Sequence, residues 1–160
     1  MEVRGRLQHA SMGLAIAFAI AIVVVNSDRA SGQTDLHVFM PASSLRGSVI
    51  DVVRGPAQQL GDGVAGRGRL IDPATGENAG TLYQECTVMR KIGGLEQGLW
   101  RCSYHLRLEG GSVVLQGLDP RGSGSSKFAV LGGTDAYRGA SGDAVLTDSD
   151  GGTDIAISLT

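Results

Sequence analysis

From residue 33 to residue 160 short apolar runs, mostly Val, Leu, Ile and Ala, alternate with glycine-rich polar stretches, a pattern that suits pleated strands packed from both faces. Strand-like runs recur at Leu36–Met40, Ser48–Val53, Gly63–Ile71, Gly80–Met89, Leu99–Leu108, Ser112–Leu118, Lys127–Leu131, Gly139–Thr147 and Thr153–Leu159. The turn signals Asp72-Pro73, Glu109-Gly110-Gly111, Asp119-Pro120-Arg121-Gly122 and Asp150-Gly151-Gly152 separate them. No stretch after residue 32 keeps apolar residues at i, i+3 and i+4, and glycines interrupt nearly every window of ten. Short strands at this spacing predict a sandwich or a closed barrel.

One hairpin offers a test of its own register. A turn centred on Gly94 places Cys86 opposite Cys102, Leu82 opposite Leu106, Gln84 opposite Tyr104 and Val88 opposite Trp100, a largely apolar set on one face. Tyr83, Glu85, Thr87, Arg101, Ser103, His105 and Arg107 then share the other face. A slip of one residue would exchange the two faces, so the agreement selects this register. It predicts a Cys86–Cys102 disulfide formed in an oxidising compartment. The chain-entropy model assigns a loop of this length about 3 kcal/mol, less where a hairpin is already local. Two free thiols, one of them catalytic, are the alternative.

The N-terminus differs in character. Arg4 and Arg6 precede an apolar run from Met12 to Val25, which is short for a membrane span. This reads as a signal peptide over residues 1–32, with Ala30-Ser31-Gly32 supplying the small residues before the cut. An uncleaved anchor is the alternative. The remaining residues 33–160 form one domain, expected to be secreted into an extracellular or periplasmic space. They hold 11 basic and 14 acidic residues, a net charge of −3 that removes the electrostatic case for nucleic acid.

Several stretches imitate functional motifs. Gly61-Asp62-Gly63-Val64-Ala65-Gly66 has the GxGxxG spacing but opens a strand, without the βαβ setting that dinucleotide binding needs. Asp148-Ser149-Asp150-Gly151-Gly152-Thr153-Asp154 lacks the closing glutamate of a calcium loop and reads as a hairpin turn. His37 and His105 are isolated, so no zinc set can be assembled, and no GxSxG elbow surrounds any serine. No metal or cofactor is expected, and no catalytic residue can be named.

The 17 residues VLGGTDAYRGASGDAVL, Val130 to Leu146, concentrate glycines between two strands: Gly132, Gly133, Gly139 and Gly142. They resemble the GGTG-x-[FY]-x-x-A-x-G signature of plant dirigent proteins and the allene oxide cyclase barrel superfamily. Gly111–Gly117 is similar to the glycine-to-Gln-Gly strand of the cyclases, and Cys86 falls where their barrel has a cysteine. With Gly61-Asp62 and Asp72-Pro73 in matching order, the likeness runs from Leu36 to Leu159. It implies an eight-stranded antiparallel β-barrel of the calycin-like type, commonly a homotrimer, with a hydrophobic cavity. Glycines at barrel corners suit this reading, since they allow sharp bends and close backbone approach; Gly133 is expected there with positive φ.

The resemblance constrains chemistry mostly by what is missing. Met40, Ala42 and Gly68 occupy the positions where the cyclases hold polar catalytic groups. Asp72 and Asp143 are the nearest counterparts of the acidic groups in dirigent cavities, and Arg138 matches a retained arginine that also reads as a solvated rim charge. Three functions follow. The first is a barrel binding a small apolar molecule, lined by Val88, Trp100, Tyr104, Leu106 and Leu115 with Gln84 as polar anchor. The second is a dirigent- or cyclase-like protein that steers a reaction by orienting substrate. The third is a structural domain filled by its own side chains. An interior void separates the third from the others, and buried ionisable groups in that void separate the second from the first.

Overall fold

The computed structural model describes residues 34–52, 59–91 and 98–160. The expected signal peptide, the end of the second strand run at Val53 and the turn around Gly94 lie outside these residues. Nine strands follow one another: β1 (Thr34–Pro41), β2 (Arg46–Ile50), β3 (Gly63–Ile71), β4 (Asn78–Lys91), β5 (Gly98–Leu108), β6 (Gly111–Arg121), β7 (Ser125–Gly133), β8 (Gly142–Ser149) and β9 (Gly152–Leu159). From β3 to β9 each pairs antiparallel with the next, and β1 returns to pair with β9. Pairing of Phe39 with Ile71 brings β1 back to β3 and closes an eight-stranded barrel. A 3-10 turn at Ala42–Ser44 then hands the chain to β2, which continues along β3 from Arg46–Arg67 to Ile50–Gly63 as an extra, fully exposed strand.

The expected hairpin register is present in full. Cys86 pairs with Cys102, Leu82 with Leu106, Gln84 with Tyr104 and Val88 with Trp100, and Cys86 and Cys102 are joined by a disulfide. Leu82, Cys86 and Val88 of β4 and Trp100, Cys102, Tyr104 and Leu106 of β5 point inward with Val113, Leu115, Phe128, Val130, Ala144, Leu146, Ile155 and Ile157 to form one core. Neighbouring inward positions are adjusted in size to fit. A side chain on Gly68 would collide with the Met40 sulfur, and one on Gly117 with the Phe128 ring, so each large residue lies over a glycine on a neighbouring part of the wall.

Two boundaries move. The eighth strand starts at Gly142 rather than Gly139, because Asp135–Tyr137 form a 3-10 turn and Gly139 follows it with φ +76. Asp119-Pro120-Arg121 is strand, not turn; the reversal falls one step later, at Gly122–Gly124. Proline is tolerated in β6 here because the ladder to β7 has ended at Gly117–Phe128.

The glycine-rich segment is also placed differently in detail. Gly133 does not have positive φ; its constraint is close approach, since a Cβ there would lie 2.4 Å from the Ser112 carbonyl oxygen and 2.6 Å from Tyr137 Cβ. Gly132 holds the positive value, φ +144, beside a bulge that leaves Leu131 unpaired and exposed opposite the Val114–Leu115 step. At Gly142 a side chain would meet the Ser158 carbonyl. The Gly61-Asp62 element is structural too. Asp62 is buried, accepts the Val52 and Gln59 backbone N–H groups at 2.9 and 2.7 Å, and its carbonyl accepts the Val88 N–H, tying the entry to β3 onto β4.

Candidate functional site

A cavity of about 270 Å³ opens at the barrel end where β1 and β6 finish and the β8–β9 hairpin turns. Met40, Leu45, Leu82, Phe128, Leu146 and Ile155 supply its apolar wall, and Gln84, Tyr104, Asp119, Arg121, Ser126 and Asp148 its polar one. The polar groups arrive by strand parity. Continuing the inward positions of β6 from Val113 and Leu115 through Gly117 brings Asp119 and Arg121 to the same face, and Asp119 pairs with Trp100 on β5.

Asp119 anchors this cluster. It is 8% exposed, accepts a 2.7 Å hydrogen bond from the Ser126 hydroxyl and forms an ion pair with Arg121, Nε to Oδ2 at 3.2 Å. The Arg121 guanidinium in turn lies over the Trp100 ring, 4.9 Å from its centroid. That Nε is buried and not aligned for a hydrogen bond with any described group, so the pair is held by charge and stacking. Deeper in, the Tyr104 ring meets Phe128 edge to face at 5.1 Å. Its hydroxyl has the Cys86 sulfur, at 4.0 Å, as its one hydrogen-bonding neighbour among the described residues, and a disulfide sulfur can only accept. Burial raises the Tyr104 pKa well above the usual tyrosine value, and the Asp119 carboxylate adds to this; Arg121 partly offsets it and Asp148 reinforces it. Tyr104 is therefore a neutral hydrogen-bond donor at physiological pH.

The expected lining residues divide. Gln84 and Tyr104 reach the cavity, whereas Val88, Trp100, Leu106 and Leu115 are packed in the core, with Trp100 acting on the cavity through Arg121. Met40 and Ala42 line the mouth, and Gly68 lies buried beneath Met40. Asp72 caps its own turn, accepting the Ala74 N–H at 2.7 Å, and Asp143 and Arg138 are exposed and do not line the cavity. The acidic groups in the cavity are Asp119 and Asp148 instead. Asp119 was hidden in an Asp-Pro-Arg-Gly string that imitates a turn; the inward parity of β6 is the signal that locates it. A second, more open cleft of about 400 Å³ runs along the outer wall between Tyr83, His105, Arg107, Thr134 and Asp135.

No protein-family model matches the sequence, and no curated protein matches it. Solved structures do resemble it in fold. A pyocyanin demethylase superimposes with a TM-score of 0.68 at 16% identity, covering 79% of this chain and 100% of that one. AbnU, an exo-specific intermolecular Diels-Alderase, gives 0.61 at 20% identity over 80% and 98% of the two chains. The pterocarpan synthase dirigent protein GePTS1 gives 0.57 at 20% identity over 80% and 86%. At these identities the likeness establishes the barrel, and the chemistry has to come from the cavity.

Proposed function

We propose that this dirigent- and cyclase-like barrel binds a small, largely apolar molecule in its cavity and orients it by a single polar head. The observation that carries the reading is the division of the cavity into an apolar wall and a polar cluster built around the buried Asp119. A domain filled by its own side chains needs neither a void nor a carboxylate facing one. At about 270 Å³ the space is at the small end of ligand sites, which run from roughly 300 to 1,000 Å³, and suits a molecule of one or two rings. The disulfide is compatible with an extracellular or periplasmic location after removal of residues 1–32. Assembly as a trimer belongs to the same reading.

A second reading has a specific observation behind it. The cavity holds ionisable groups, Asp119 and Tyr104, in contact with the space a ligand would occupy. Such groups are what a barrel that steers a reaction needs beyond one that only stores a ligand.

The test of the first reading uses the neutral fluorophore N-phenyl-1-naphthylamine. Saturable one-to-one binding is expected, and Ala42→Trp, an exposed mouth position, should block it while leaving the circular dichroism spectrum unchanged. Unsaturable binding, or equal binding by the Ala42→Trp variant, would refute a cavity site.

A further inference from the structure

The polar half of the cavity carries unequal charge. Among the described residues Asp119 and Asp148 contribute two carboxylates to the lining, and Arg121 the one guanidinium. That guanidinium is already shared, its Nε 3.2 Å from Asp119 and its plane over Trp100, so only its terminal nitrogens remain for a ligand. Asp148 lies at the mouth and accepts a 2.8 Å hydrogen bond from the Thr153 hydroxyl, leaving its second oxygen for other donors. The remaining polar groups, Gln84, Ser126 and Tyr104, are neutral. A head group entering this space meets a neutral phenol donor on one side and carboxylate acceptors on the other.

We propose that the cavity selects its ligand by the charge of the head group, accepting an alcohol or ammonium head and excluding a carboxylate. The inference rests on the cavity being a ligand site. An alcohol can accept from the Tyr104 hydroxyl while donating to Asp148, and an ammonium adds Coulombic attraction to the unpaired excess of negative charge. A carboxylate offers no donor to either aspartate and has to approach both, with only the terminal nitrogens of the already paired Arg121 to receive it. The Tyr104 hydroxyl agrees: burial is the main cause of its raised pKa, and among the charges around it Asp119 and Asp148 together outweigh Arg121.

The experiment is a matched series on one ring system at pH 7: 2-naphthylmethanol, 2-naphthylmethylamine, 2-naphthoate and the headless 2-methylnaphthalene. Affinities are read by ligand-observed nuclear magnetic resonance against the full chain and against Asp148→Asn, a substitution at an exposed position. The alcohol and the amine are expected to bind at least tenfold more tightly than the carboxylate. In Asp148→Asn the gap between amine and carboxylate should narrow by at least threefold. A carboxylate that binds as tightly as the alcohol overturns the inference, as does a gap unchanged in both Asp148→Asn and Asp119→Asn. If 2-methylnaphthalene binds and the head groups fall in the wrong order, charge selection fails alone. If none of the four binds, the ligand-site reading fails and charge selection with it.

Discussion

Replacing Gly133 by alanine adds one methyl group where the barrel leaves no room for it. The new Cβ would lie 2.4 Å from the Ser112 carbonyl oxygen, 2.6 Å from Tyr137 Cβ and 2.7 Å from the Tyr137 carbonyl oxygen. Two of these neighbours are backbone atoms, so no side-chain rotation relieves the clash; β6 or the 3-10 turn has to move by roughly 1 Å. Overpacking of this kind costs about 1–3 kcal/mol. The same movement strains two backbone hydrogen bonds of 2.9 Å, Thr134 N–H to Ser112 and Tyr137 N–H to Thr134, each worth a net ~1 kcal/mol. The expected loss is roughly 2–4 kcal/mol. Leu131→Ala, at the exposed bulge position two residues earlier, should stay within about 0.5 kcal/mol. Urea unfolding followed by Trp100 fluorescence resolves the two. With a slope of about 2 kcal/mol per molar, Gly133→Ala should unfold at a midpoint lower by about 1–2 M. A midpoint within about 0.3 M of the parent, at unchanged slope, would show that the turn does not press on β6 as described.

Three further outcomes are expected. The folded protein made under oxidising conditions should show no titratable thiol, and Cys102→Ala should lower stability by about 2–4 kcal/mol; two reactive thiols in the native state would contradict the Cys86–Cys102 bridge. Because the Tyr104 pKa is raised in the folded state, its contribution is complete below about pH 10, the ordinary tyrosine value, and is lost as pH climbs from there towards the folded value. Stability should therefore fall by roughly 1 kcal/mol more per pH unit in the parent than in Tyr104→Phe above pH 10, and parallel curves would remove the buried phenol from the site. On the sequence resemblance, which sets Met40, Ala42 and Gly68 against the polar groups of the cyclases, the protein is expected to leave allene oxide to spontaneous cyclisation; enantiomerically enriched cyclopentenone would overturn that expectation.

Strand positions and the β4–β5 register were legible in the sequence because alternation and cysteine spacing report the same periodicity. Leu82, Cys86, Trp100 and Leu106 face inward together only in alignments of one parity, and the match of Cys86 with Cys102 picks one of these. The cavity was less legible, because inward parity does not say which inward side chains meet and which leave a void. Val88 and Leu115 fill the core, while Gln84 and Tyr104, of the same parity on the same sheet, face open space. Asp119 and Arg121 were obscured by local turn chemistry that the pairing with β5 overrides. The reason for Gly133 was out of reach for a similar cause: its crowding comes from Ser112 and Tyr137, brought together by the fold rather than by the residue's own φ.

Native mass spectrometry tests the proposed ligand site in the cavity most directly. After incubation with 2-naphthylmethanol, the parent chain should retain one molecule per chain, and Ala42→Trp, its mouth plugged, should retain none. A parent that flies without ligand, or equal retention by the two proteins, would contradict a binding site inside the barrel.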